Sequence, residues 1–181
     1  MQIIEIQDLV KTYGSVEALK GLSLKIEEGS LFGFLGPNGA GKTTTLRIIC
    51  TLLAPDSGSV VVGGINAIKD PRAVRREIGY VAQEVAIDKI LTGRELLELQ
   101  GALYHLSFSK KNARISELIN RLGMNNWIDR RCGSYSGGMR RKLDLAAGLI
   151  HKPKLLVLDE PTVGLDIESR AIIWELLKEL Q

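Results

Sequence analysis

Gly36-Pro37-Asn38-Gly39-Ala40-Gly41-Lys42-Thr43 matches the pattern G-x-x-x-x-G-K-S/T at every fixed position. The segment lies between residues 31–35, an apolar run that predicts a short buried strand, and a helix predicted over residues 43–53. Glycines let backbone N–H groups turn inward around phosphate oxygens, and the helix N-terminus adds its dipole. Lys42 is placed to charge-pair with β and γ phosphates, and Thr43 to offer Mg²⁺ a hydroxyl. The segment predicts nucleoside triphosphate binding on an α/β core, with a structural glycine turn as the alternative.

A second apolar run, residues 155–158, ends in two adjacent carboxylates, Asp159 and Glu160. Sheets of α/β proteins place ligand chemistry at the carboxyl ends of their strands. Asp159 is therefore expected to hold Mg²⁺ through its water shell, and Glu160 to orient and deprotonate an attacking water. Two acids at a strand end are also common as solvated surface residues, but the phosphate loop favours the chemical interpretation.

A third segment, residues 134–142, reads SYSGGMRRK and begins a predicted helix against local rules. Glycine costs roughly 1 kcal/mol relative to alanine inside a helix. Cations at a helix N-terminus oppose the helix dipole by about 0.3 to 1 kcal/mol each. A polyanion bound at this helix start would offset both energetic costs. A flexible turn with a solvated basic face is the other interpretation.

The rest of the chain predicts one domain built around these segments. Residues 3–6 and 22–26 predict strands of an antiparallel layer, and the apolar period becomes helical from residue 84 to residue 150. Thr92 and Glu95 are placed as a capping box, and Gly123 as a helix C-cap. The first of these helices has a predicted apolar face that consists of Leu96, Leu99, Leu103 and Leu106. We expect an α/β core of residues 1–83 and 151–181 with an inserted helical subdomain of residues 84–150.

The composition is that of an ordinary globular protein, with 181 residues, 45% hydrophobic and 25% charged. A formal charge of +3 is too small to argue for nucleic acid by itself. Cys50 and Cys132 show no C-x-x-C spacing and fit reduced thiols in the cytosol. The sequence contains no apolar stretch of about 20 residues, so any membrane role requires a partner chain.

In their order along the chain, the three segments resemble the ATP-binding subunit of ABC transporters, and the resemblance covers nearly the whole chain. The family's signature motif, usually LSGGQ, is similar to residues 135–139, which read YSGGM. Its aspartate loop resembles Gly164-Leu165-Asp166, and its glutamine loop resembles Gln83 directly after a predicted strand. YSGGM followed by two arginines is most similar to drug-export ATPases of the daunorubicin-resistance type.

The resemblance implies a P-loop NTPase (RecA-like) core with an antiparallel β layer, an inserted α-helical subdomain, and ATP and Mg²⁺ as cofactors. It also implies that two ATP-binding subunits, a homodimer or a pseudo-dimer, meet head to tail. Each ATP then lies between one phosphate loop and the partner's SGG helix start, so the cations and glycines of that segment face a triphosphate. Ser136 and the N–H groups of Gly137 and Gly138 would bind the γ-phosphate in trans. Met139 replaces the usual glutamine and cannot donate a comparable hydrogen bond.

Further roles follow from the resemblance. Tyr13, otherwise an ordinary strand-end tyrosine, would stack on adenine. Gln83 would sense Mg²⁺ and water while linking the core to the helical subdomain. Asp166 would either reach across the dimer interface or cap the following helix. The resemblance thus implies residues for catalysis, for nucleotide binding and for metal binding. Catalytic residues are Glu160, Lys42 and Gln83; nucleotide contacts come from Tyr13, Gly36, Asn38, Gly39, Ala40, Gly41, Lys42, Thr43, Thr44, Ser136, Gly137 and Gly138; metal contacts come from Thr43, Gln83 and Asp159.

The resemblance implies a motor subunit on the cytoplasmic face of the cell membrane. ATP closes the dimer, hydrolysis opens it, and the helical subdomain passes the motion to integral membrane permease subunits, for export of a hydrophobic compound. A soluble ABC ATPase acting on nucleic acid or ribosomes is the alternative. That class is disfavoured because the spacing leaves no room for a coiled coil, and nucleic acid is an unlikely partner. A non-catalytic nucleotide-binding fragment is a third interpretation.

The family also carries a switch histidine beyond the aspartate loop, and neither His105 nor His151 is placed to replace it. We therefore expect a truncated subunit that binds MgATP and hydrolyses it weakly. An exposed sheet edge would make such a subunit prone to associate.

Overall fold

The computed structural model describes residues 1–83, 87–161 and 167–180, and it divides into two compact units, residues 1–79 and 80–180. The strands are β1 (Gln2–Tyr13), β2 (Val16–Glu27), β3 (Ser57–Val62), β4 (Ile65–Asn66), β5 (Ile78–Val81) and β6 (Leu155–Leu158). The helices are α1 (Lys42–Ile49), α2 (Pro71–Glu77), α3 (Gly93–Leu103), α4 (Phe108–Arg121), α5 (Gly137–Leu149) and α6 (Ile167–Leu180), with a 3-10 turn at Cys132–Ser134.

The first unit contains the predicted antiparallel layer, a four-stranded sheet in the order β2-β1-β3-β4. β1 and β2 form a hairpin whose turn contains Gly14 at a φ of 59°, a conformation that glycine adopts without steric cost. β1 pairs with β3 through Ile4 opposite Val62 and Ile6 opposite Val60, and all of these side chains are buried. The prediction of antiparallel strands at residues 3–6 and 22–26 is therefore confirmed.

Residues 31–35 differ from the sequence prediction, because they form no strand in the structure. Leu31 and Phe32 are exposed, and Leu35 is 97% exposed. Backbone N–H and C=O groups of a buried strand need hydrogen-bonded neighbours, and the described part of the chain pairs no strand with this segment. Apolar composition alone does not supply that neighbour, so the prediction of a buried strand here was wrong.

The first helix follows the phosphate loop as predicted, and α1 begins at Lys42. It ends at Ile49 rather than near residue 53, because Thr51 has a left-handed φ of 58° that interrupts the helix. Thr45, Ile48 and Ile49 form its buried side. The helix start, which positions the loop, is therefore confirmed, and only its C-terminal boundary was predicted too late.

The second unit contains the helices that follow residue 84. The capping box of α3 is confirmed, since Thr92 Oγ1 accepts from the Glu95 N–H and the Glu95 carboxylate accepts from the Thr92 N–H. The predicted apolar face of α3 is wrong in part, because Leu99 and Leu103 are exposed whereas Leu97 is buried. Gly101 explains the difference: the stem of Lys111 in α4 packs so close that a Cβ at Gly101 would lie 2.7 Å from Lys111 Cγ.

The core of the second unit is formed mainly by α3, α4 and α5. In α4, Ile115, Leu118 and Ile119 are buried, and Gly123 adopts the left-handed φ of 62° at the predicted helix C-cap. In β6 only Val157 is fully buried, although a continuous apolar run is typical of a strand covered on both faces. Among the described residues, no helix has the length and hydropathy that a bilayer crossing requires. The main buried residues are Val81, Leu96, Leu97, Ile115, Leu118, Ile119, Leu122, Met124, Ile128, Cys132, Tyr135, Leu143, Leu145, Ala146, Leu149 and Ile150.

Candidate functional site

The phosphate loop connects the exposed residues 31–35 to α1 in the first unit. Gly41 occupies the N-cap position of α1 with a φ of 84°. A Cβ at Gly41 would lie 2.6 Å from both Ala18 O and Leu19 Cδ2, so backbone conformation and space both require glycine. At Gly36 a Cβ would lie 3.3 Å from Ala40 Cβ, because the loop folds tightly back on itself. The loop is therefore fixed against β2 at one end and closed on itself at the other.

Lys42 lies across this loop. Its Nζ donates hydrogen bonds to the carbonyl oxygens of Gly36 and Pro37, at 2.6 and 2.8 Å. Thr43 and Thr44 follow as half-buried residues in the first turn of α1, while Asn38, Gly39 and Ala40 are exposed.

Thr45 closes the base of the loop. Its side chain is buried, and its Oγ1 donates to Gly41 O at 2.9 Å while its N–H donates to the same oxygen at 2.8 Å. Sequence reasoning did not single out Thr45. The available signal was the run of three threonines after Lys42, of which one must face inward on a helix.

These residues fit a triphosphate group. The first turn of α1 contains no acidic residue. Among the described residues, no side chain makes a capping hydrogen bond at its N-terminus. The positive end of the helix dipole and the Lys42 ammonium thus meet the exposed glycine loop without competing carboxylates in that turn. Anionic oxygens are the groups that such a donor set recognises.

Tyr13 lies at the end of β1 opposite Val16, and its ring is largely exposed. Lys11 Nζ lies 5.9 Å from the ring centroid. Ala18, two residues after Val16 in β2, contacts the Gly41 position of the phosphate loop. Tyr13 is therefore at the end of the hairpin that approaches the loop, where an aromatic face is available for stacking on a base.

The strand ends of the second unit bring three candidate residues together. The Asp159 N–H donates to Val81 O at 2.9 Å, so the C-terminal ends of β5 and β6 lie side by side. Gln83 Nε2 then donates to Glu160 Oε2 at 2.7 Å. Asp159 is only 6% exposed. The Glu160 carboxylate, held by the Gln83 amide, has the chemistry expected of a general base. The buried Asp159 carboxylate beside it supplies oxygen atoms of the kind that bind Mg²⁺.

Glu160 has an unusual backbone conformation, with a φ of 49°. Residues other than glycine rarely adopt positive φ, and such a conformation costs on the order of 1 to 3 kcal/mol. Asp8, Thr51, His105 and Lys152 also have positive φ, and Glu160 is the candidate general base among these five residues. Strain of this kind persists where the surrounding contacts hold the backbone, and it is concentrated at functional sites.

The SGG segment begins α5 as predicted. Ser136 is the N-cap, and its Oγ accepts a hydrogen bond from the Met139 N–H at 3.2 Å. The Ser136 hydroxyl keeps its own hydrogen for a further acceptor, because capping uses only a lone pair. Gly137 is exposed and Gly138 is half-buried, so their N–H groups form the accessible first turn of the helix.

Arg141 corrects the expectation that the basic residues of this segment face a polyanion. Arg140 and Lys142 are half-buried, but Arg141 is only 3% exposed. Its guanidinium donates to the carbonyl oxygens of Ala82, Asp159 and Pro161. Successive helical residues point about 100° apart, so three adjacent cations cannot share one face. Arg141 is, with Thr45, a contact of the site that sequence reasoning missed.

The remaining candidates lie elsewhere. The predicted aspartate loop, Gly164-Leu165-Asp166, is outside the described residues. His105 is exposed, and His151 stacks face to face on Tyr104 with 3.7 Å between ring centroids. Cys50 and Cys132 are both buried cysteines.

The fold and the phosphate loop define a P-loop NTPase domain with an antiparallel β layer, which confirms the predicted fold class. The ABC transporter family model matches residues 19–163, and the chain belongs to this family. This membership confirms the resemblance seen in the three motifs.

Curated relatives include the daunorubicin resistance ATP-binding protein DrrA2 of Streptomyces coeruleorubidus, which is 46% identical over 98% of this chain and 55% of its own length. The doxorubicin resistance ATP-binding protein DrrA of Mycobacterium tuberculosis is 46% identical over 92% of this chain and 51% of its own length. The chain thus spans about half the length of these relatives.

Solved structures agree with this assignment. A dimeric post-hydrolysis state of an ATP-binding cassette bound to ADP and Pi superposes with a TM-score of 0.86 at 29% identity, covering 98% of this chain and 82% of that one. The ATP binding subunit of an ABC transporter gives a TM-score of 0.87 at 26% identity, covering 98% of this chain and 74% of that one.

Proposed function

We propose that the chain is an ATP-hydrolysing motor domain that powers transport by an ABC exporter. The observation that carries the proposal is the hydrogen bond of 2.7 Å between Gln83 and Glu160, made at the strand ends beside the buried Asp159. A carboxylate held by an amide at that position has the chemistry needed to activate a water for attack on a phosphate.

The chain's own residues supply binding and proton transfer. The N–H groups of the phosphate loop and the Lys42 ammonium bind the triphosphate. Thr43 in the first unit, and Asp159 and Gln83 in the second, are the residues that would contact Mg²⁺. Bound Mg²⁺ neutralises charge on the β and γ phosphates. Glu160 orients the attacking water and accepts its proton, and Gln83 Nε2 orients the Glu160 carboxylate.

A second ATP-binding subunit would complete the site. In this arrangement, Ser136, Gly137 and Gly138 contribute to the nucleotide held by the opposite phosphate loop. The exposed Ser136 hydroxyl, which uses a lone pair to cap α5, and the accessible first turn of that helix support this role. The dimeric cassette with ADP and Pi supports the same assembly. Tyr13 would stack on the adenine base.

The partners and location follow from the same assembly. The helical segments of residues 84–150 would contact integral membrane permease subunits, with the domain peripheral on the cytoplasmic face of the membrane. The relatives' resistance names favour export of a hydrophobic compound. A Nod factor export ATP-binding protein of Rhizobium etli, 39% identical, also favours export. The relatives named above support transport rather than action on nucleic acid or ribosomes.

Phosphate release from the purified chain with MgATP tests the function, with Lys42→Ala as the control that removes the phosphate-loop charge. We expect release from the unmodified chain to exceed that of Lys42→Ala by about 100-fold, the scale of losing a group that stabilises transition-state charge. Calorimetry with MgATP reports binding separately. Binding without release above the control would leave a nucleotide-binding module, and absence of binding at millimolar nucleotide would contradict the proposal.

A further inference from the structure

Arg141 makes a set of contacts that the hydrolytic roles above do not use. Its Nε donates to Pro161 O at 2.9 Å, one Nη donates to Ala82 O at 2.6 Å, and the other donates to Asp159 O at 3.3 Å. Asp144, one turn along α5, lies 3.5 Å from the guanidinium. The side chain therefore connects α5 with the ends of both strands and with the turn after β6.

The three acceptors are the immediate neighbours of the hydrolytic pair. Ala82 precedes Gln83, while Asp159 and Pro161 flank Glu160 on both sides. The backbone of Glu160 is thus held on either side while the residue itself keeps its positive φ. The contact at Ala82 fixes the peptide that leads into Gln83. The Arg141 guanidinium thus holds the backbone next to Gln83 and next to Glu160.

Arginine is suited to this task for physical reasons. Its planar fork carries five N–H donors in fixed directions, so it can bind several carbonyl oxygens at defined angles. Burial lowers the pKa of Arg141, while Asp144 and Asp159 oppose that change. Lysine offers a single charged nitrogen and cannot reproduce the fork.

We propose that Arg141 is a positioning residue that fixes the hydrolytic pair, Gln83 and Glu160, to the first turns of the signature helix α5. The inference rests on the proposed function. The chain that contributes Ser136 to a partner's nucleotide therefore also sets the geometry of its own general base through the same helix.

The test compares Arg141→Met and Arg141→Lys with a matched control, Arg114→Met. Arg114 is also buried, at 9% exposure, and donates to the Leu149 carbonyl at the opposite end of α5, at 3.3 and 2.9 Å. We expect Arg141→Met to lower kcat for phosphate release by about 10- to 100-fold, since misplacing a catalytic group by about 1 Å has effects of that size. Its KM for ATP should stay within about two-fold, and Arg141→Lys should fall between the two.

Arg114→Met should lose stability and keep kcat within about two-fold, because its acceptor is remote from the pair. Equal kcat in Arg141→Met and the unmodified chain would overturn the inference. So would an equal loss of kcat in Arg114→Met. If Arg141→Met does not fold, Arg141→Lys and Arg141→Gln supply the same comparison.

Amide hydrogen exchange separates this inference from the proposed function. In folded Arg141→Lys, exchange should quicken at the Asp159 N–H, which is bonded to Val81 O, and remain unchanged in α4. Unchanged exchange at Asp159 would overturn the inference even if the chain hydrolyses ATP. Absence of hydrolysis in the unmodified chain would contradict the motor function and leave the exchange result as the measure of positioning.

Discussion

The amide of Gln83 and the carboxylate of Glu160 are joined by a hydrogen bond of 2.7 Å, although the residues are 77 positions apart in the chain. The bond is possible because β5 and β6 end side by side, where the Asp159 N–H meets Val81 O. The pair therefore depends on strand pairing and on no local sequence rule.

Loss of the Gln83 amide should slow hydrolysis by Glu160 without weakening ATP binding. We expect Gln83→Ala to lower kcat about 10-fold or more and to change KM for ATP little, because the Glu160 carboxylate loses the donor that orients it. Steady-state phosphate release measures both constants. Gln100→Ala, a change in α3 away from the pair, is the control. A rise in KM with unchanged kcat would assign Gln83 to binding instead.

Two loop glycines with nearly equal φ angles differ in the space available for a side chain. Gly39 and Gly41 have φ values of 83° and 84°, but only Gly41 lacks room for a Cβ. Gly39→Ala should cost about 1 to 2 kcal/mol in the free energy of unfolding from its conformation alone. Gly41→Ala adds a collision with the Ala18 carbonyl and should cost clearly more. Urea unfolding compares the two, and equal costs would show that β2 yields to the added methyl group.

The phenol of Tyr135 forms a buried link at the start of α5. Its Oη accepts from the Gly93 N–H at 3.2 Å and faces the carbonyls of Trp127 and Ile128, each at 3.1 Å. Tyr135→Phe leaves these groups without that partner, so we expect a loss of about 1 to 3 kcal/mol in the free energy of unfolding. The same measurement on Tyr13→Phe should show little change, because that ring is exposed. A loss as large in Tyr13→Phe would contradict this explanation.

Asp144 predicts a pH dependence of stability. Burial raises the pKa of its carboxyl from 3.8 to about 6, and the nearby Arg141 opposes the rise. The folded chain thus holds this proton more tightly than the unfolded chain. The associated stability is fully present below about pH 3.8 and is lost as the pH rises through about 6. The shift corresponds to roughly 3 kcal/mol.

Asp144→Asn removes this titration. The difference in unfolding free energy between the unmodified chain and Asp144→Asn should therefore favour the unmodified chain more at pH 4 than at pH 8. Chemical denaturation across that range measures it. If the two proteins show parallel curves of unfolding free energy against pH, the pKa of Asp144 does not differ between the folded and unfolded states in this range.

The features that the sequence predicted well obey local rules. The phosphate loop, the Thr92 capping box and the Gly123 C-cap each depend on residues within one or two turns of each other. The errors arose where distant partners decide. Residues 31–35 needed a neighbouring strand. Arg141 was expected to face a polyanion or solvent, whereas its hydrogen-bond acceptors come from remote segments.

The Leu99 error has the same origin. The face that α3 buries is determined by the close approach of Lys111 from α4 at Gly101, and the spacing of leucines carries no information about that approach. Periodicity identified an amphipathic helix and left its rotation undetermined. Distant partners therefore explain the errors at residues 31–35, Arg141 and Leu99, whereas Thr45, which bonds Gly41 four residues away, was missed within a single helical turn.

Arg141 also has a consequence for how the second unit folds. Its acceptors at Ala82, Asp159 and Pro161 are 59, 18 and 20 residues away in the chain, so none of them is supplied by the helix itself. If the guanidinium were buried before these carbonyl groups are in place, it would lack hydrogen-bond acceptors, which is strongly unfavourable. Partly assembled forms of the unit are thus penalised, and α5 with both strand ends should form in one cooperative step.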